Sequence, residues 1–380
     1  MSALRSRTRT RTWTPTRTRR AATARDAARL AAELARPPSR RDAAPILGGL
    51  VLGIGAGVAL ERAAMLGENH RPDPEAGEPF GMLPGTKHTV TSWDGTELHV
   101  EERGEGPCLI FAHGFALAGS AWHYQRRDLH ERFRCVFVDT RGHGASGRSA
   151  SGDYSLEAVA RDLAAVIEWT GERQVILVAH SMSGMAALKL AELDPGFFHD
   201  RLAGLALVST SYADTLRGMA SALATRSAAK VQLAIYTAAY KFVGADPHRA
   251  HGLRRRGSDM GYLTTRLGGF GPRPSPKQVA FTDQLLIGTD VEVWSQVFTG
   301  LLDFDMSHVL ETLSVPALVV TGDTDRLFPL TAAEHMAATI PDARLLVLPD
   351  TGHMAFMEKH EQLDAELTAF ADRVMARVDR

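Results

Sequence analysis

The chain has 380 residues, with 43 basic and 44 acidic side chains for a formal net charge of −1, and 44% of its residues are hydrophobic. That balance excludes a strongly basic nucleic-acid binder, and two cysteines are too few for a disulfide-built scaffold. The near-zero total hides an asymmetry, because residues 1–42 carry 12 arginines against Asp26, Glu33 and Asp42, a charge of +9, and the remainder carries −10. No nucleic-acid motif accompanies those arginines, so no nucleic-acid partner is expected.

In chain order, residues 5–20 alternate Arg and Thr with too little apolar surface to fold, which predicts a disordered Arg-rich tail over 1–42. Ala43 to Leu60 then runs for 18 residues without a charge, against the roughly 20 that span a bilayer. Gly49, Gly53 and Gly57 recur at four-residue spacing, a small-residue face that lets membrane helices approach closely. The segment 43–66 is read as a hydrophobic, Gly-rich helix and membrane anchor, with the Arg-rich side in the cytoplasm and the rest of the chain outside it. Two alternatives stand beside it. Arg40-Arg41 before a weakly apolar core has the flavour of a twin-arginine export signal, and the helix could instead lie on the body of a soluble cytoplasmic protein.

Residues 67–85 hold Pro72, Pro74, Pro79 and Pro84, a linker by composition. Thr89 to Val100 reads as a hairpin around Asp94-Gly95. Apolar strands follow at 108–112, 134–138, 174–179 and 204–209, and again at 317–321 and 344–348, separated by helical patterns such as Leu156 to Trp169. Near-continuous apolar strands alternating with helices predict a mostly parallel sheet covered on both faces. Between Ser209 and Leu313 no strand is expected; Thr215 to Val243 and Gln278 to Leu302 read as helical, with a Gly/Pro-rich break at Gly268 to Pro276. Cys108 and Cys135, on neighbouring strands, read as buried free thiols.

Chemistry-bearing residues fall at strand ends. The apolar run Val175 to Ala179 stops at His180-Ser181, and the helix-like Met185-Ala186-Ala187-Leu188 follows at once. A strand–turn–helix of that kind thrusts a serine out of a sheet edge, and its crowding demands small neighbours two residues away, here Ala179 and Ser183. A serine nucleophile needs a base, and the base an orienting acid. Downstream strands run out into Gly322-Asp323-Thr324-Asp325 and into Gly352-His353.

This order and these contexts resemble the α/β-hydrolase superfamily over roughly residues 86–375. The resemblance implies a mostly parallel eight-stranded sheet flanked by helices, with core segments 86–209 and 313–380 and an inserted helical cap at 210–312. It implies Ser181 as nucleophile, Asp325 (in Gly322-x-x-Asp-x-x-x-Pro329) as acid and His353 as base. Leu109 to Phe115, with His113-Gly114, is similar to the family's oxyanion loop, so the backbone amides of Phe115 and Met182 are the implied oxyanion donors. Asp139-Thr140-Arg141-Gly142-His143-Gly144-Ala145-Ser146 resembles the family's structural turn. Ser183 is the rival nucleophile, and Asp323, Asp303 and Asp305 are rival acids. His113, His143 and His180 read as structural. In the cap, Met219, Tyr236, Tyr240, Phe242, Trp294 and Phe298 are candidate pocket or core residues, and the basic run His248 to Arg256 reads as a solvated loop or a lipid contact.

The implied function is that of a serine hydrolase cleaving small-molecule or lipid carboxylic esters through an acyl-enzyme. A perhydrolase of the cofactor-free haloperoxidase type, a carbon–carbon bond hydrolase or an acyltransferase would use the same residues, and a catalytically silent ligand receptor is the reading outside enzymes. Relatives that open epoxides or displace halide carry a carboxylate where Ser181 stands. No His-Glu-x-x-His, paired Cys motif or helix-opening Gly-x-Gly-x-x-Gly occurs, so neither metal nor cofactor is expected. No oligomeric state is assigned.

Overall fold

A computed structural model describes residues 65, 67, 68, 70–213, 261–302 and 304–378. The tail at 1–42, the apolar stretch 43–60, Asp303, the basic run 248–256 and the cap residues Met219, Tyr236, Tyr240 and Phe242 lie outside the described residues. Among the described residues, no helix is long and apolar enough to cross a membrane.

Eight strands form one sheet: β1 (Thr86–Thr91), β2 (Glu97–Arg103), β3 (Cys108–Ala112), β4 (Arg134–Val138), β5 (Val175–His180), β6 (Leu202–Val208), β7 (Ala317–Gly322) and β8 (Ala343–Leu348). Their spatial order is β1-β2-β4-β3-β5-β6-β7-β8. The β1–β2 and β2–β4 pairs are antiparallel and the rest are parallel. All eight strands belong to 86–208 and 317–348, as the apolar runs imply.

The two-residue period of a strand explains why those runs are continuous. Ile110, Ala112, Leu177, Ala179, Leu205, Leu207 and Val319 pack in one cluster with the helices Leu156–Trp169 and Met182–Leu193. Their alternates Leu109, Phe111, Ile176, Val178, Ala206, Val208, Leu318 and Val320 pack on the opposite face, under the helix His360–Val378. Cys108 and Cys135 are buried free thiols, each pushed up to about 12 by burial.

Two segments differ from their sequence reading. Residues 67–85 are no slack linker: Phe80 is buried and stacks on Phe281 at 5.1 Å. Asp73 accepts from Ser275 Oγ and from the Lys277 amide, so this stretch caps the helix Pro276–Gly288. Proline there removes backbone donors without preventing side chains from docking. Gln278 to Leu302, read as one helical stretch, is two helices, Pro276–Gly288 and Val291–Leu302. The second begins where Asp290 Oδ1 accepts from the Glu292 amide at 2.8 Å, a capping interaction that favours a fresh start.

Candidate active site

The C-terminal ends of the parallel strands carry the candidate residues. Ser181 stands between β5 and the helix Met182–Leu193, with φ 51° and ψ −116°. A non-glycine residue there costs about 1–3 kcal/mol and persists only when its surroundings hold it. Here the Ser181 amide donates to the Val208 carbonyl at 3.0 Å, and Thr210 Oγ1 donates to the Ser181 carbonyl at 2.7 Å. Crowding at the turn is visible at Gly184, where a Cβ would lie 2.6 Å from Thr210 Oγ1.

Asp325 and His353 arrive from the loops after β7 and β8. His353 Nδ1 lies 2.9 Å from Asp325 Oδ2, and His353 Nε2 lies 3.1 Å from Ser181 Oγ. A carboxylate only accepts, so Nδ1 carries the proton, and Nε2 is left to accept from the serine hydroxyl. The other oxygen of Asp325 accepts from the amides of Leu327 and Phe328 at 2.8 and 3.1 Å. The two loops are laced directly, with the Thr324 amide and Oγ1 both donating to the Thr351 carbonyl, at 3.0 and 2.8 Å. Gly322 must be glycine because a Cβ would sit 2.1 Å from that carbonyl oxygen. Asp325 has its side chain fully enclosed, whereas the rival Asp323 is exposed and accepts only from the Thr351 amide at 3.3 Å. Asp305 is also exposed, bonded to Ser307.

Ser183, the rival hydroxyl, is fully buried and donates to the His113 carbonyl at 2.5 Å. It therefore ties the helix to the loop after β3 instead of facing the site. That loop crosses close over Ser181: a Cβ on Gly114 would lie 2.9 Å from Ser181 Cβ and 2.6 Å from His180 Nδ1. Phe115 follows immediately, and Ala116 turns the chain with φ 57°. Met182 is the first residue of its helix, so no intrahelical carbonyl serves its N–H, and the positive end of the helix dipole meets Ser181.

His113 links this loop to the 139–146 turn. Its Nε2 accepts from the Thr140 amide at 3.0 Å, and its Nδ1 donates to the Gly114 carbonyl at 2.7 Å. Burial lowers its pKa to about 4 and that of His143 to about 3, so both rings are neutral. In the turn, Asp139 accepts from the Gly119 and Ala145 amides, and Arg141 is sealed between Asp94 and Asp162. Of the cap aromatics, Trp294 packs edge-on against Phe115 at 4.4 Å.

Two contacts at the site escape a reading of the sequence. His180 Nε2 reaches the His353 carbonyl, and Glu358 accepts from the amides of Gly352 and Gly271. The His353 carbonyl lies 173 positions from His180 and the Gly271 amide 87 from Glu358, separations that leave no local pattern. Asp128, His360 and Asp364 are grouped elsewhere, at a helix–helix contact, with donor atoms within 4.8 Å of one another.

The profile described as the alpha/beta hydrolase fold matches residues 107–360. The chain belongs to that family. Among curated relatives of this α/β-hydrolase, a pimeloyl-[acyl-carrier protein] methyl ester esterase of Vibrio campbellii is 25% identical over 73% of this chain and 99% of its own length. A non-heme haloperoxidase of Rhodococcus erythropolis is 25% identical over 74% of this chain and 98% of its own. Among solved structures, a thermophilic esterase from Thermogutta terrifontis superposes with a TM-score of 0.60 at 26% identity, over 76% of this chain and 99% of that one. The relatives support hydrolase activity for this chain.

Proposed function

We propose that this α/β-hydrolase cleaves carboxylic esters by a Ser-His-Asp acyl-enzyme mechanism. The observation that carries the reading is the continuous line Ser181 Oγ, His353, Asp325, with both contacts at hydrogen-bond length. His353 Nε2 takes the serine proton as Oγ attacks the ester carbonyl, and Asp325 keeps the imidazole in the required tautomer and stabilises its charged form. The amides of Phe115 and Met182 receive the negative charge on the carbonyl oxygen. Fixed donors of this kind are worth roughly 3–4 kcal/mol each when charge develops in a dry site. The imidazolium then protonates the leaving alcohol, and water activated by His353 releases the acid.

An esterase and a methyl ester esterase among the relatives support this choice of substrate class. The haloperoxidase relative supports a second reading, perhydrolysis at the same serine. An anchor at 43–60 would bring lipid esters to the site, with the core segments 86–209 and 313–380 outside the cytoplasm and the cap at 210–312 as its roof. A series of p-nitrophenyl esters from C2 to C16 on the full chain tests the reading. Turnover at any length above a Ser181→Ala blank supports it, and the best length separates a short-acyl esterase from a lipase-like enzyme. No turnover at any length, with peracid formed from acetate and peroxide, would move the assignment to the second reading.

A further inference from the structure

Glu358 ends the short helix Ala355–Glu358, which begins two residues after His353. Its side chain turns back toward the sheet edge. Oε1 accepts from the Gly352 amide at 2.8 Å, and Oε2 accepts from the Gly271 amide at 2.8 Å. One carboxylate thus joins the peptide just ahead of His353 to the segment that leads from helical residues 261–269 to the helix Pro276–Gly288.

The meeting is tight on both sides. A Cβ on Gly352 would lie 2.4 Å from the Phe270 carbonyl carbon, and one on Gly271 would lie 2.5 Å from the Asp350 carbonyl oxygen. Further bonds cross the same seam: the Met354 amide donates to the Gly269 carbonyl at 3.0 Å, and Arg273 meets Asp350 at 3.1 Å. Among these links, Glu358 alone touches both amides, and it does so with a formal charge. Charge-assisted bonds of this kind are shorter and roughly twice as strong as neutral ones.

Resting on the esterase reading above, we propose that Glu358 is a positioning residue for the reaction: its ionised carboxylate clamps the His353 loop to the 266–273 segment and so holds the imidazole between Ser181 and Asp325. Glu358 touches no reacting atom and acts through the backbone of Gly352. A neutral acid carries a proton on one oxygen and loses its charge, so protonation weakens the pair of accepted bonds. Burial, with the charge of Asp325 adding to it, raises the Glu358 pKa to about 7, against the opposing pull of the two amides and of Arg266. The charged groups facing it are therefore Arg266 from residues 261–269 and Asp325 from the loop after β7. The clamp is intact above pH 7 and opens as pH falls through it.

The test uses the full-length protein and compares wild type, Glu358→Gln and Glu358→Asp. Misplacement of a reacting group by about an ångström costs up to about a hundredfold. The expected result for Glu358→Gln is a ten- to hundredfold fall in kcat with KM within twofold, and loss of an ionisation near pH 7 that the wild-type profile shows. Glu358→Asp keeps the ionisation, displaced, and recovers part of kcat. In wild type labelled with 15N-glycine, the Gly271 and Gly352 amide signals should titrate together with one midpoint near 7, a readout that needs no variant. Unchanged kcat and pH profile in Glu358→Gln, or separate midpoints for the two amides, would overturn the proposal. Failure of the esterase reading looks different: wild type itself would turn over no ester, and the glycine titration would be unaffected.

Discussion

The ring of His180 donates from Nε2 to the backbone carbonyl of His353 at 3.2 Å, and the two rings lie 4.7 Å apart. The residue before the proposed nucleophile thus holds the main chain of the proposed base, and any shift of one is felt by the other. His180 is buried among Trp122 and Phe356, which keeps its imidazole neutral. His180→Phe retains the ring packing and loses the bond, whose net worth is about 0.5–1.5 kcal/mol. The expected outcome is a three- to tenfold fall in kcat with KM little changed, measured on a p-nitrophenyl ester.

Asp325 and Asp323 can be separated by parallel variants. Asp325→Asn removes the acceptor that sets the His353 tautomer, and kcat should fall by about 10³–10⁴. Asp323 is exposed and bonded only to the Thr351 amide at 3.3 Å, so Asp323→Asn should stay within about threefold of wild type. Equal losses would show that the register of the acid loop has been misassigned.

His113 makes a pH prediction. Its folded pKa is lowered to about 4 from 6.5, so the folded protein binds fewer protons than the unfolded chain between those values. Stability from the neutral ring is complete above about pH 6.5 and is lost as pH falls toward 4, an effect on the order of 3 kcal/mol for this one group. His113→Gln should be less stable than wild type at pH 8, and the gap should narrow by pH 5. Urea unfolding at the two values measures it; a gap that widens on acidification would contradict the neutral ring.

The hairpin, the parallel strands and the three strand-end motifs were legible because each leaves a local mark. Leu109 and Ile110 face opposite sides of the sheet, yet both are apolar, and that announces a strand covered twice. Ser183 reads from the sequence as a small residue and a rival nucleophile, whereas its bond to the His113 carbonyl spans 70 positions and leaves no local sign. The clamp by Glu358 reaches 87 positions to Gly271, and the docking of Phe80 on Phe281 likewise has no local sign. Proline content marks 67–85 as a linker, but a stretch without regular structure still packs when an aromatic anchors it, as Phe80 does on Phe281. The cap sequence showed helical spacing without showing where Asp290 restarts it.

Residues 43–60 are predicted to anchor the chain. Carbonate extraction of membranes from expressing cells should leave the full-length protein in the pellet and release a chain lacking residues 1–63. Release of full-length material would instead favour the docked-helix alternative.

The most direct measurement of the central claim is fluorophosphonate labelling with mass-spectrometric localisation, run beside ester turnover, on full-length wild type, Ser181→Ala, Ser183→Ala and His353→Ala. A single phosphonylated serine, Ser181, is expected in wild type and in Ser183→Ala. Neither label nor turnover is expected in Ser181→Ala and His353→Ala, both with unchanged circular dichroism. Label on another serine, or full turnover by Ser181→Ala, would contradict the claim.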